Sequence, residues 1–453
     1  MAHEMTEKRS QTQAGIRTLV VGLGKTGLSC ARYLSGLGHQ VHVVDTRKNP
    51  PGLAGLKKDV PAATTTLGEI SDCQLNNVDQ LVVSPGLPMD LPLLQAARAK
   101  QITVLSDIDL FAAVALAPVI GITGSNGKST VTSMLNDMVI EAGYRVRTGG
   151  NLGVPALDLL EAGEPDFYIL ELSSFQLERS GVLSLRAATV LNLSPDHLDQ
   201  HSSYEEYIAA KAKILEACEN PVINRDDAVV MGLLPGESEF TAFTLSKPRE
   251  RDLGIRVVDG QRCFCRGTTV LLPVSELTLV GRHNEANALA ALALGSVIGL
   301  PDAAMAQALK AFRGLEHRMQ EVRNRNGVRW INDSKGTNVG ATVAAVRGLD
   351  GPLVLIAGGL AKNADFQPLG SALADRTIAI VLIGRDAPAM RDALESVCKI
   401  VMAEDMADAV KQAEEIATAG TTVLLSPACA SQDMFDDYAH RGRVFAELVG
   451  GLS

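Results

Sequence analysis

The sequence has seven cysteines, but no two of them have the C-x-x-C spacing of zinc ribbons. Cysteines scattered in this way argue against a zinc site and a disulfide framework, and they predict reduced thiols in a cytoplasmic protein. Long apolar runs are also missing, because the longest one, residues 110–122, is short and contains Pro118. A membrane-spanning helix is therefore not expected. Residues 1–15 are polar and lack the apolar core of a signal peptide.

Basic residues are fewer than acidic residues. Lys and Arg number 42 against 52 Asp and Glu, so the net charge is −10. This balance argues against a general nucleic-acid or anionic-membrane surface, and an anionic ligand would need a focused site. Aromatic residues make up only 4% of the 453 residues, but 46% are hydrophobic, as in an ordinary α/β protein. At this length we expect two or three domains.

A glycine-rich segment between a predicted strand and a predicted helix is the strongest sign of function. Residues 121–130 read GITGSNGKST. Backbone N–H groups of such a turn close around an anion, Lys128 would reach the β- and γ-phosphates, and Ser129 or Thr130 would offer a hydroxyl to Mg²⁺. Ile122 stands where the standard phosphate loop has Gly, and a glycine turn without a ligand is the alternative.

A second glycine motif, G-x-G-x-x-G, follows the first predicted strand. Gly22, Gly24 and Gly27 lie between the apolar segment 17–22 and a helical stretch, and the second predicted strand ends on Asp45. That distance suits an acid that accepts a hydrogen bond from a ribose hydroxyl, so the pattern predicts a Rossmann-type nucleotide site. The alternative is a βαβ unit whose glycines serve only a tight turn.

Strand and helix patterns alternate along the chain, which predicts an α/β fold with parallel sheets. In the first unit, the apolar patterns at 79–86 and 102–107 predict further strands. The segment from Ser84 to Gly86 would lie where a strand meets its loop, at the ligand-facing rim of the sheet.

The central unit carries three candidate metal-site residues. Glu171 lies near the end of a predicted strand, residues 167–172, where its carboxylate could bind Mg²⁺ next to the phosphate loop. The next strand delivers His197 to a similar rim, and Lys211 lies two turns into a helix that a capping-box spacing at Ser203 begins. Each of them could instead be a structural or exposed residue.

Polar groups also follow the later strands. Residues 240–280 contain short β-rich pieces, and the next segment places Asn284 and Asn287 before a helix, where they could contact a purine or ribose, or cap the helix. A third unit begins near residue 315 and predicts another parallel sheet. Its strand ends form a predicted ligand crevice. The polar residues there are Asp333, Ser334, Lys335, Thr337 and Asn338, then Lys362, then Ser426, Ser431 and Asp433.

Taken together, these motifs resemble the Mur ligases, the ATP-dependent amide-forming enzymes of bacterial peptidoglycan precursor synthesis. The resemblance covers nearly the whole chain. It is carried by GLGKTGLSCARYL, GITGSNGKSTVT, GGNLGVPAL, YILELSSFQLE, NLSPDHLDQH, GRHNEANALAALAL, GLEHRMQEV, GVRWINDSKGTN and LLSPACASQDMFDDYAHRG. The phosphate loop has the Mur-type glycine placement, and ELSSFQLE and SPACAS are typical of the branch that adds D-glutamate.

The resemblance implies three domains. Residues 1–106 would form a Rossmann-like domain for the UDP part of the substrate, and 107–314 a P-loop ATPase with a parallel sheet and a small β part. Residues 315–453 would form a Rossmann-like domain that closes over ATP and the amino acid. The implied reaction joins D-glutamate to UDP-N-acetylmuramoyl-L-alanine through an acyl phosphate, giving ADP and phosphate. A cytoplasmic monomer without nucleic-acid or membrane partners is expected.

The resemblance also implies the site residues. The UDP substrate would be bound by Gly22, Leu23, Gly24, Lys25, Thr26, Gly27, Asp45, Thr46, Arg47, Ser84, Pro85, Gly86, Asn151 and Ser173. ATP would be bound by Gly124, Ser125, Asn126, Gly127, Lys128, Ser129, Thr130, Asn284, Asn287, Arg318, Asp333 and Lys335. D-Glutamate would be bound by Thr337, Lys362, Ser431 and Tyr438.

The implied catalytic residues are Lys128, Glu171, His197 and Lys211, together with two Mg²⁺ ions. Ser129 and Glu171 would hold one ion, and His197 and Lys211 the other. Mg²⁺ would repel a free ammonium group, whereas a carbamylated lysine is anionic and offers oxygen ligands, so Lys211 is expected as the carbamate. The family pattern has Phe at the position of Tyr438 and an acidic residue before Lys362, and both departures affect contacts with the amino acid.

Other protein classes explain part of the sequence. A dinucleotide-dependent oxidoreductase would use the G-x-G-x-x-G motif and Asp45, but it leaves residues 121–130 without a purpose. A P-loop protein that only binds nucleotide would explain the phosphate loop but not the polar strand ends of three units. Folylpolyglutamate synthases share the ATPase design of Mur ligases, and the N-terminal glycine motif argues against them.

Overall fold

The computed structural model describes residues 15–151, 153–161, 163–196, 200–234, 239–279, 281–361, 364–374 and 376–452. Within these ranges the large sheets follow one another along the chain, and each is covered mainly by helices of its own segment. The predicted α/β class with a series of Rossmann-like and P-loop units is therefore confirmed. None of the helices in the described ranges is long and apolar enough to cross a membrane.

The N-terminal domain is a parallel sheet with flanking helices. Its elements are β1 (Arg17–Val21), α1 (Lys25–Gly36), β2 (Gln40–Asp45), α2 (Leu53–Asp59), β3 (Thr64–Leu67), β4 (Gln80–Val83), α3 (Pro92–Ala99) and β5 (Thr103–Leu105). The strand order is β3-β2-β1-β4-β5. Val and Leu side chains of β1 and β4 are buried on both sides of the sheet, which explains their continuous apolar sequence.

The glycine motif of this domain is a tight turn from β1 into α1. Gly22 has a φ of +95°. A Cβ on Gly27 would lie only 1.8 Å from the carbonyl oxygen of Gly22, so no larger residue fits there without backbone movement. A Cβ on Gly24, by contrast, would have no neighbour within 4 Å. Gly22 and Gly27 thus have a structural role, and Gly24 faces open space at the start of the helix.

Replacing Gly27 with Ala is expected to destabilise the N-terminal domain, because the methyl group would overlap the Gly22 carbonyl. We expect the free energy of unfolding to fall by about 1–3 kcal/mol in urea denaturation. Gly36→Ala is the matched control in the same helix, where a Cβ has no neighbour within 4 Å. Ala is intrinsically favoured in helices, so this control should be at least as stable as the native protein. Equal urea midpoints for the two variants would contradict the packing role of Gly27.

The central domain contains a long mixed sheet. Its elements are α4 (Asp107–Ala112), β6 (Val119–Thr123), α5 (Lys128–Glu141), β7 (Val146–Gly150), β8 (Phe167–Glu171), α6 (Ser174–Arg179), β9 (Ser184–Leu185), β10 (Ala187–Val190), α7 (Tyr204–Ala212), β11 (Ala217–Cys218), β12 (Pro221–Asn224), α8 (Ala228–Met231), β13 (Thr241–Phe243), β14 (Leu253–Val258), β15 (Gln261–Arg266), β16 (Thr269–Pro273), α9 (Arg282–Val297) and α10 (Asp302–Ala311). The order is β16-β15-β14-β13-β12-β10-β6-β8-β7. The antiparallel strands β14 to β16 form the small β part that was predicted.

Helix α9 is packed inside the hydrophobic core of the central domain. Every residue from 288 to 294 is buried, so the helix is enclosed rather than amphipathic. It shares one hydrophobic core with α5, the helix that follows the phosphate loop. This packing brings side chains from the first turns of α9 next to the phosphate loop.

The C-terminal domain has a second Rossmann-like sheet. Its elements are β17 (Gln320–Arg325), β18 (Val328–Asn332), α11 (Val339–Arg347), β19 (Leu353–Gly358), α12 (Gln367–Leu373), β20 (Thr377–Ile383), α13 (Ala387–Leu394), β21 (Lys399–Met402), α14 (Met406–Ile416), β22 (Thr422–Leu425) and α15 (Tyr438–Gly450). The order is β17-β18-β22-β19-β20-β21.

The four strands predicted for the third sheet are parallel, but the sheet also has an antiparallel edge strand that was not predicted. Strand β17 pairs with β18 in the antiparallel direction. Asn326 and Gly327 join the two strands with positive φ angles of 53° and 76°. Two positive φ angles are typical of the type I′ hairpin turn, and Asn-Gly is its usual sequence. The Asn-Gly dipeptide is therefore the sequence signal for this hairpin.

Candidate active site

The phosphate loop lies between β6 and α5, in the strand-turn-helix context that was predicted. Gly127 immediately precedes the helix with a φ of +85°. A Cβ on Gly127 would lie 2.4 Å from Oδ1 of Asn287, so a side chain at this position would collide with helix α9. Gly127 therefore leaves the turn immediately before the amino end of α5 without a side chain, and a helix amino end with an uncovered backbone suits an anion.

Lys128 is held close to its own loop. Its Nζ donates hydrogen bonds to the carbonyl oxygens of Gly124 at 2.7 Å and Ser125 at 3.0 Å. Burial lowers the pKa of the Lys128 ammonium, and the negative charges of Glu171 and Asp196 act in the opposite direction. The side chain is therefore placed at the loop and surrounded by the charges of the site.

Glu171 is the last residue of β8, which pairs directly with β6. Its side chain is buried, and Oε1 accepts a hydrogen bond from Asn151 Nδ2 at 2.7 Å. Its other oxygen, Oε2, is buried and has no hydrogen-bond partner among the described residues. A buried carboxylate oxygen without a partner is costly, and a bound cation would satisfy it. Glu171 therefore fits a magnesium ligand.

Lys211 points inward from helix α7. Its Nζ donates to Gly124 O at 3.0 Å and to Thr123 Oγ1 at 3.2 Å. Burial lowers the pKa of Lys211 well below its ordinary value, and the positive charge of Lys128 lowers it further. The exposed-lysine alternative does not hold, because Lys211 is 2% exposed.

A cleft of about 290 Å³ brings these residues together with side chains of the C-terminal domain. The phosphate loop, Asn151, Glu171, Ser173 and Lys211 line it from the central domain. From the C-terminal part it is lined by Arg318, Lys335, Thr337, Asn338, Ser431 and Tyr438. Residues predicted for phosphate, metal and amino-acid binding thus share one space.

Two contacts show how the C-terminal residues meet this cleft. Arg318 Nη2 donates a hydrogen bond of 2.6 Å to Ser129 Oγ on the phosphate loop. Lys335 Nζ lies 3.9 Å from the ring centre of Tyr438, a cation–π distance. Burial lowers the pKa of Lys335 to about 8. Tyr438 therefore supplies the same aromatic face that Phe would supply.

A second cavity of about 320 Å³ also borders the phosphate loop. Thr130, Asn284, Asn287, Arg318 and Asp333 contribute to its lining. Burial raises the pKa of Asp333 to about 7, although its carboxylate accepts from Ser426 Oγ at 2.7 Å. The cavity adjoins the phosphate loop, as a nucleoside site should.

The prediction that Asn284 and Asn287 precede a helix was wrong. Helix α9 begins at Arg282, after Gly281, whose φ is +105°, so both amides lie inside the helix. Their three-residue separation places them on one face, where Asn287 Nδ2 donates to Asn284 Oδ1 at 3.4 Å. Neither side chain caps the helix, and both face the cavity.

The N-terminal candidates gather at the carboxyl edge of their own sheet. Lys25 and Thr26 begin α1, Thr46 follows β2, and Pro85 and Gly86 follow β4. Parallel strands present their carboxyl ends at one edge, so these residues share a rim. Ser84 Oγ donates to the Gly22 carbonyl at 3.1 Å and supports the glycine turn.

The Asp45 carboxylate forms hydrogen bonds with other residues of the protein. It accepts from Arg47 Nη2 at 2.7 Å and from the backbone N–H of Leu23 at 2.7 Å. The bond from Arg47 is the main reason why the pKa of Asp45 falls to about 2. Asp45 therefore ties the end of β2 to the glycine turn.

His197 and Lys362 lie outside the described residues. In the part of the chain that the structure describes, no group of three or more His, Cys, Asp or Glu residues could hold a metal ion. The second predicted magnesium site, which includes His197, stays a prediction.

Family models for the three Mur ligase domains match consecutive parts of the chain. A Mur ligase MurD-like N-terminal domain matches residues 16–106, a Mur ligase middle domain 122–295, and a Mur ligase glutamate ligase domain 317–429. The UDP-N-acetylmuramoylalanine--D-glutamate ligase of Nitrosococcus oceani is 50% identical over 98% of this chain and 99% of its own length. The chain belongs to the Mur ligase family.

Further relatives agree with this family. The UDP-N-acetylmuramoylalanine--D-glutamate ligase of Pseudomonas savastanoi is 48% identical to this Mur ligase, over 96% of the chain and 98% of the relative. Among solved structures, UDP-N-acetylmuramate-alanine ligase from Thermotoga maritima gives a TM-score of 0.61 at 19% identity, over 96% of this chain and 99% of that one. The structural likeness supports the three-domain fold.

Sequence reasoning missed two polar residues that help to build the site of this Mur ligase. Tyr207 is buried, and its hydroxyl is 2.8 Å from Ser125 Oγ of the phosphate loop. It precedes Lys211 by four residues on α7, and this helical spacing could have identified it. Asp196 lines the cleft and carries a charge that acts on Lys128 and Lys211.

Proposed function

We propose that this Mur ligase joins D-glutamate to UDP-N-acetylmuramoyl-L-alanine and uses ATP as its cosubstrate. The main support is the single cleft that contains both Lys128 and Glu171 and the amino-acid candidates Thr337, Ser431 and Tyr438. Phosphate chemistry and amine attack could take place there without release of an intermediate. The names of the relatives support D-glutamate as the amino acid.

In the proposed reaction, a carboxylate oxygen of the alanine residue attacks the γ-phosphorus of ATP, and ADP leaves. The amine of D-glutamate then attacks the carbonyl carbon of the acyl phosphate. The tetrahedral intermediate expels inorganic phosphate and loses a proton from nitrogen, which leaves the amide. Lys128, Arg318 and Lys335 would neutralise the phosphoryl charge, because positioning and electrostatics dominate such transfers.

Glu171 and Ser129 are the proposed protein ligands of one Mg²⁺. When bound, Mg²⁺ supplies charge neutralisation to the β- and γ-phosphates. Asn151 would hold Glu171 in place through its 2.7 Å hydrogen bond to Oε1, so that Oε2 stays directed to the ion. The second ion, with His197 and carbamylated Lys211, belongs to the same proposal.

The domain roles form part of the proposal. Residues 1–106 would bind the UDP portion through the glycine turn and the rim from Ser84 to Gly86, and residues 107–314 would bind ATP. Residues 315–453 would supply D-glutamate contacts, including Lys362, and close over the reactants. The proposal includes a cytoplasmic location and a monomeric state.

The deciding experiment measures phosphate release and amide formation with ATP, Mg²⁺ and UDP-N-acetylmuramoyl-L-alanine while the amino acid is varied. We expect product with D-glutamate and none with L-glutamate, L-alanine or diaminopimelate. Turnover with any of the other amino acids in place of D-glutamate would refute the substrate assignment. ATP hydrolysis without amide formation under every condition would refute the ligase reaction itself.

Carbamylation of Lys211 is a separate prediction. Burial lowers the pKa of Lys211 and so favours the neutral amine, and only the neutral amine attacks CO₂ to give the carbamate and a proton. With labelled bicarbonate we expect a carbamate signal in carbon NMR that is absent in Lys211→Arg. Because protonation removes the nucleophile, the signal should fall as the pH is lowered.

Lys213→Arg is the matched control for this measurement. Lys213 lies just after the same helix, and its Nζ donates to backbone carbonyl oxygens, including that of Glu178 at 3.2 Å. This variant should retain the signal. A signal that persists in Lys211→Arg, or no signal in the native protein, would remove the carbamate from the proposed mechanism.

A further inference from the structure

We propose that Asn338 is a positioning residue that ties the C-terminal domain to the phosphate loop while the acyl phosphate exists. The inference rests on the proposed ligase function and assigns a role to a residue of the predicted ligand crevice that the family resemblance left without one. Its basis is a pair of hydrogen bonds that cross from the C-terminal domain to the central domain.

The orientation of the Asn338 amide is set by its own helix. Its Oδ1 accepts a hydrogen bond of 2.8 Å from the backbone N–H of Ala341, so Asn338 caps α11. Since the oxygen is committed to the cap, Nδ2 must point away from the helix. It donates to Asp196 Oδ2 at 3.0 Å and to Asn126 Oδ1 at 3.3 Å. Both acceptors belong to the central domain.

Asn126 belongs to the phosphate loop, and its backbone is held firmly in place. Its backbone N–H donates to Asn192 Oδ1 at 2.8 Å, and its carbonyl accepts from Asn192 Nδ2 at 3.0 Å. The backbone of Asn126 is thus fixed by a reciprocal pair of hydrogen bonds, two residues before Lys128. A group that holds the Asn126 side chain therefore holds a rigid part of the phosphate loop.

The first turn of α11 lies directly against the central domain. A Cβ on Gly340 would come within 3.1 Å of Ser194 Oγ, so the glycine permits this close approach. Ser194 and Gly340 also line the same cavity from opposite domains. The hydrogen bonds of Asn338 are therefore part of a close domain contact rather than an isolated surface pair.

The chain next to Asn338 leads to the amino-acid side of the cleft. Thr337 precedes it and lines the cleft, and the backbone N–H of Thr337 donates to the carbonyl of Lys335 at 2.8 Å. Asn338 thus links the phosphate loop to the segment that is proposed to hold D-glutamate. If this link is lost, water can reach the acyl phosphate, attack its carbonyl carbon and release phosphate, which regenerates the carboxylate without amide.

The test compares phosphate release with amide formation in Asn338→Ser. Serine caps helices as well as Asn does, but it is shorter and lacks the amide N–H groups, so α11 keeps its cap while the cross-domain bonds are lost. We expect kcat/KM for D-glutamate to fall roughly 10-fold, because about two hydrogen bonds are lost. The ratio of phosphate released to amide formed should rise above the native value, while KM for ATP changes less.

Two further variants complete the design. Asn338→Asp keeps the length and the cap but places a carboxylate against Asp196. The ratio of phosphate released to amide formed should therefore rise further than in Asn338→Ser. Asp405→Ser is the matched control, because Asp405 caps α14 by accepting from Asp408 N–H at 2.8 Å. A native phosphate-to-amide ratio is expected for this control. A variant that merely lost stability would lower both products together and leave the ratio unchanged.

The outcomes separate this inference from the function it rests on. A native protein that forms no amide with D-glutamate refutes the proposed function. A native protein that forms amide, together with an unchanged ratio and an unchanged kcat/KM for D-glutamate in Asn338→Ser and Asn338→Asp, overturns the role of Asn338 alone.

Discussion

Replacing Lys128 with Ala is expected to reduce kcat by roughly 100-fold to 1,000-fold, the usual effect of removing one positioned charge-stabilising donor. The ammonium lies at the phosphate loop, within 2.7 Å of the Gly124 carbonyl and next to the charges of the cleft. Without it, the negative charge that spreads over the transferring phosphoryl group would lose a cation. Steady-state phosphate release and amide formation measure the loss.

Lys310→Ala is the matched control for Lys128→Ala. Lys310 also belongs to the central domain, but it is exposed and pairs with Glu276 at 2.6 Å. Exposed pairs contribute about 1 kcal/mol or less to stability, so the control should keep native activity. The thermal midpoint of each variant must be measured, because Lys128 also satisfies two loop carbonyls. Native activity in a folded Lys128→Ala protein would refute the phosphate role.

Replacing Glu171 with Gln should lower kcat by about 100-fold or more, since a bound metal contributes several kcal/mol to the transition state. The change removes the negative charge but keeps the shape of the side chain and an oxygen that can accept from Asn151. The Mg²⁺ concentration needed for half-maximal activity should rise at the same time. This expectation rests on the buried Oε2 of Glu171, which has no hydrogen-bond partner among the described residues.

Glu219→Gln tests whether loss of a carboxylate alone has this effect. Glu219 belongs to the same domain, is half exposed, and pairs with Arg186 at 2.5 Å. Its substitution should leave both kcat and the Mg²⁺ requirement at their native values. If Glu171→Gln lowered activity with no change in Mg²⁺ requirement, the carboxylate would have another role than metal binding.

Much of the fold could be predicted because its strands are continuous apolar runs that end in glycine or polar residues. The segments leading to Gly22 and to the phosphate loop are strands, and the helices after them begin at Lys25 and Lys128. The spacing of hydrophobic residues and the residue types in the turns determine such elements from the local sequence alone. Strand β3 was not predicted, because its sequence TTTL is polar and only partly buried.

The parts of the site that depend on tertiary contacts could not be predicted from the local sequence. Sequence spacing suggested that Asp45 was available for a ribose, but Arg47 donates three hydrogen bonds to its carboxylate, one from the backbone N–H and two from the guanidinium. Likewise, no spacing rule could show that Arg318 reaches Ser129, because the two residues are 189 positions apart. Such pairs depend on how domains are placed against one another.

The antiparallel strand β17 has a consequence for the behaviour of the isolated C-terminal domain. An unpaired strand edge recruits other chains, and β18, with the sequence VRWIN, would be such an edge if β17 were deleted. In the intact chain β17 covers it, and Arg323 anchors β17 by donating to the carbonyl oxygens of Val449 and Gly450 at the end of α15. A fragment that begins after β17 should therefore self-associate through the exposed apolar strand, whereas one that begins before Gln320 should remain dispersed in solution.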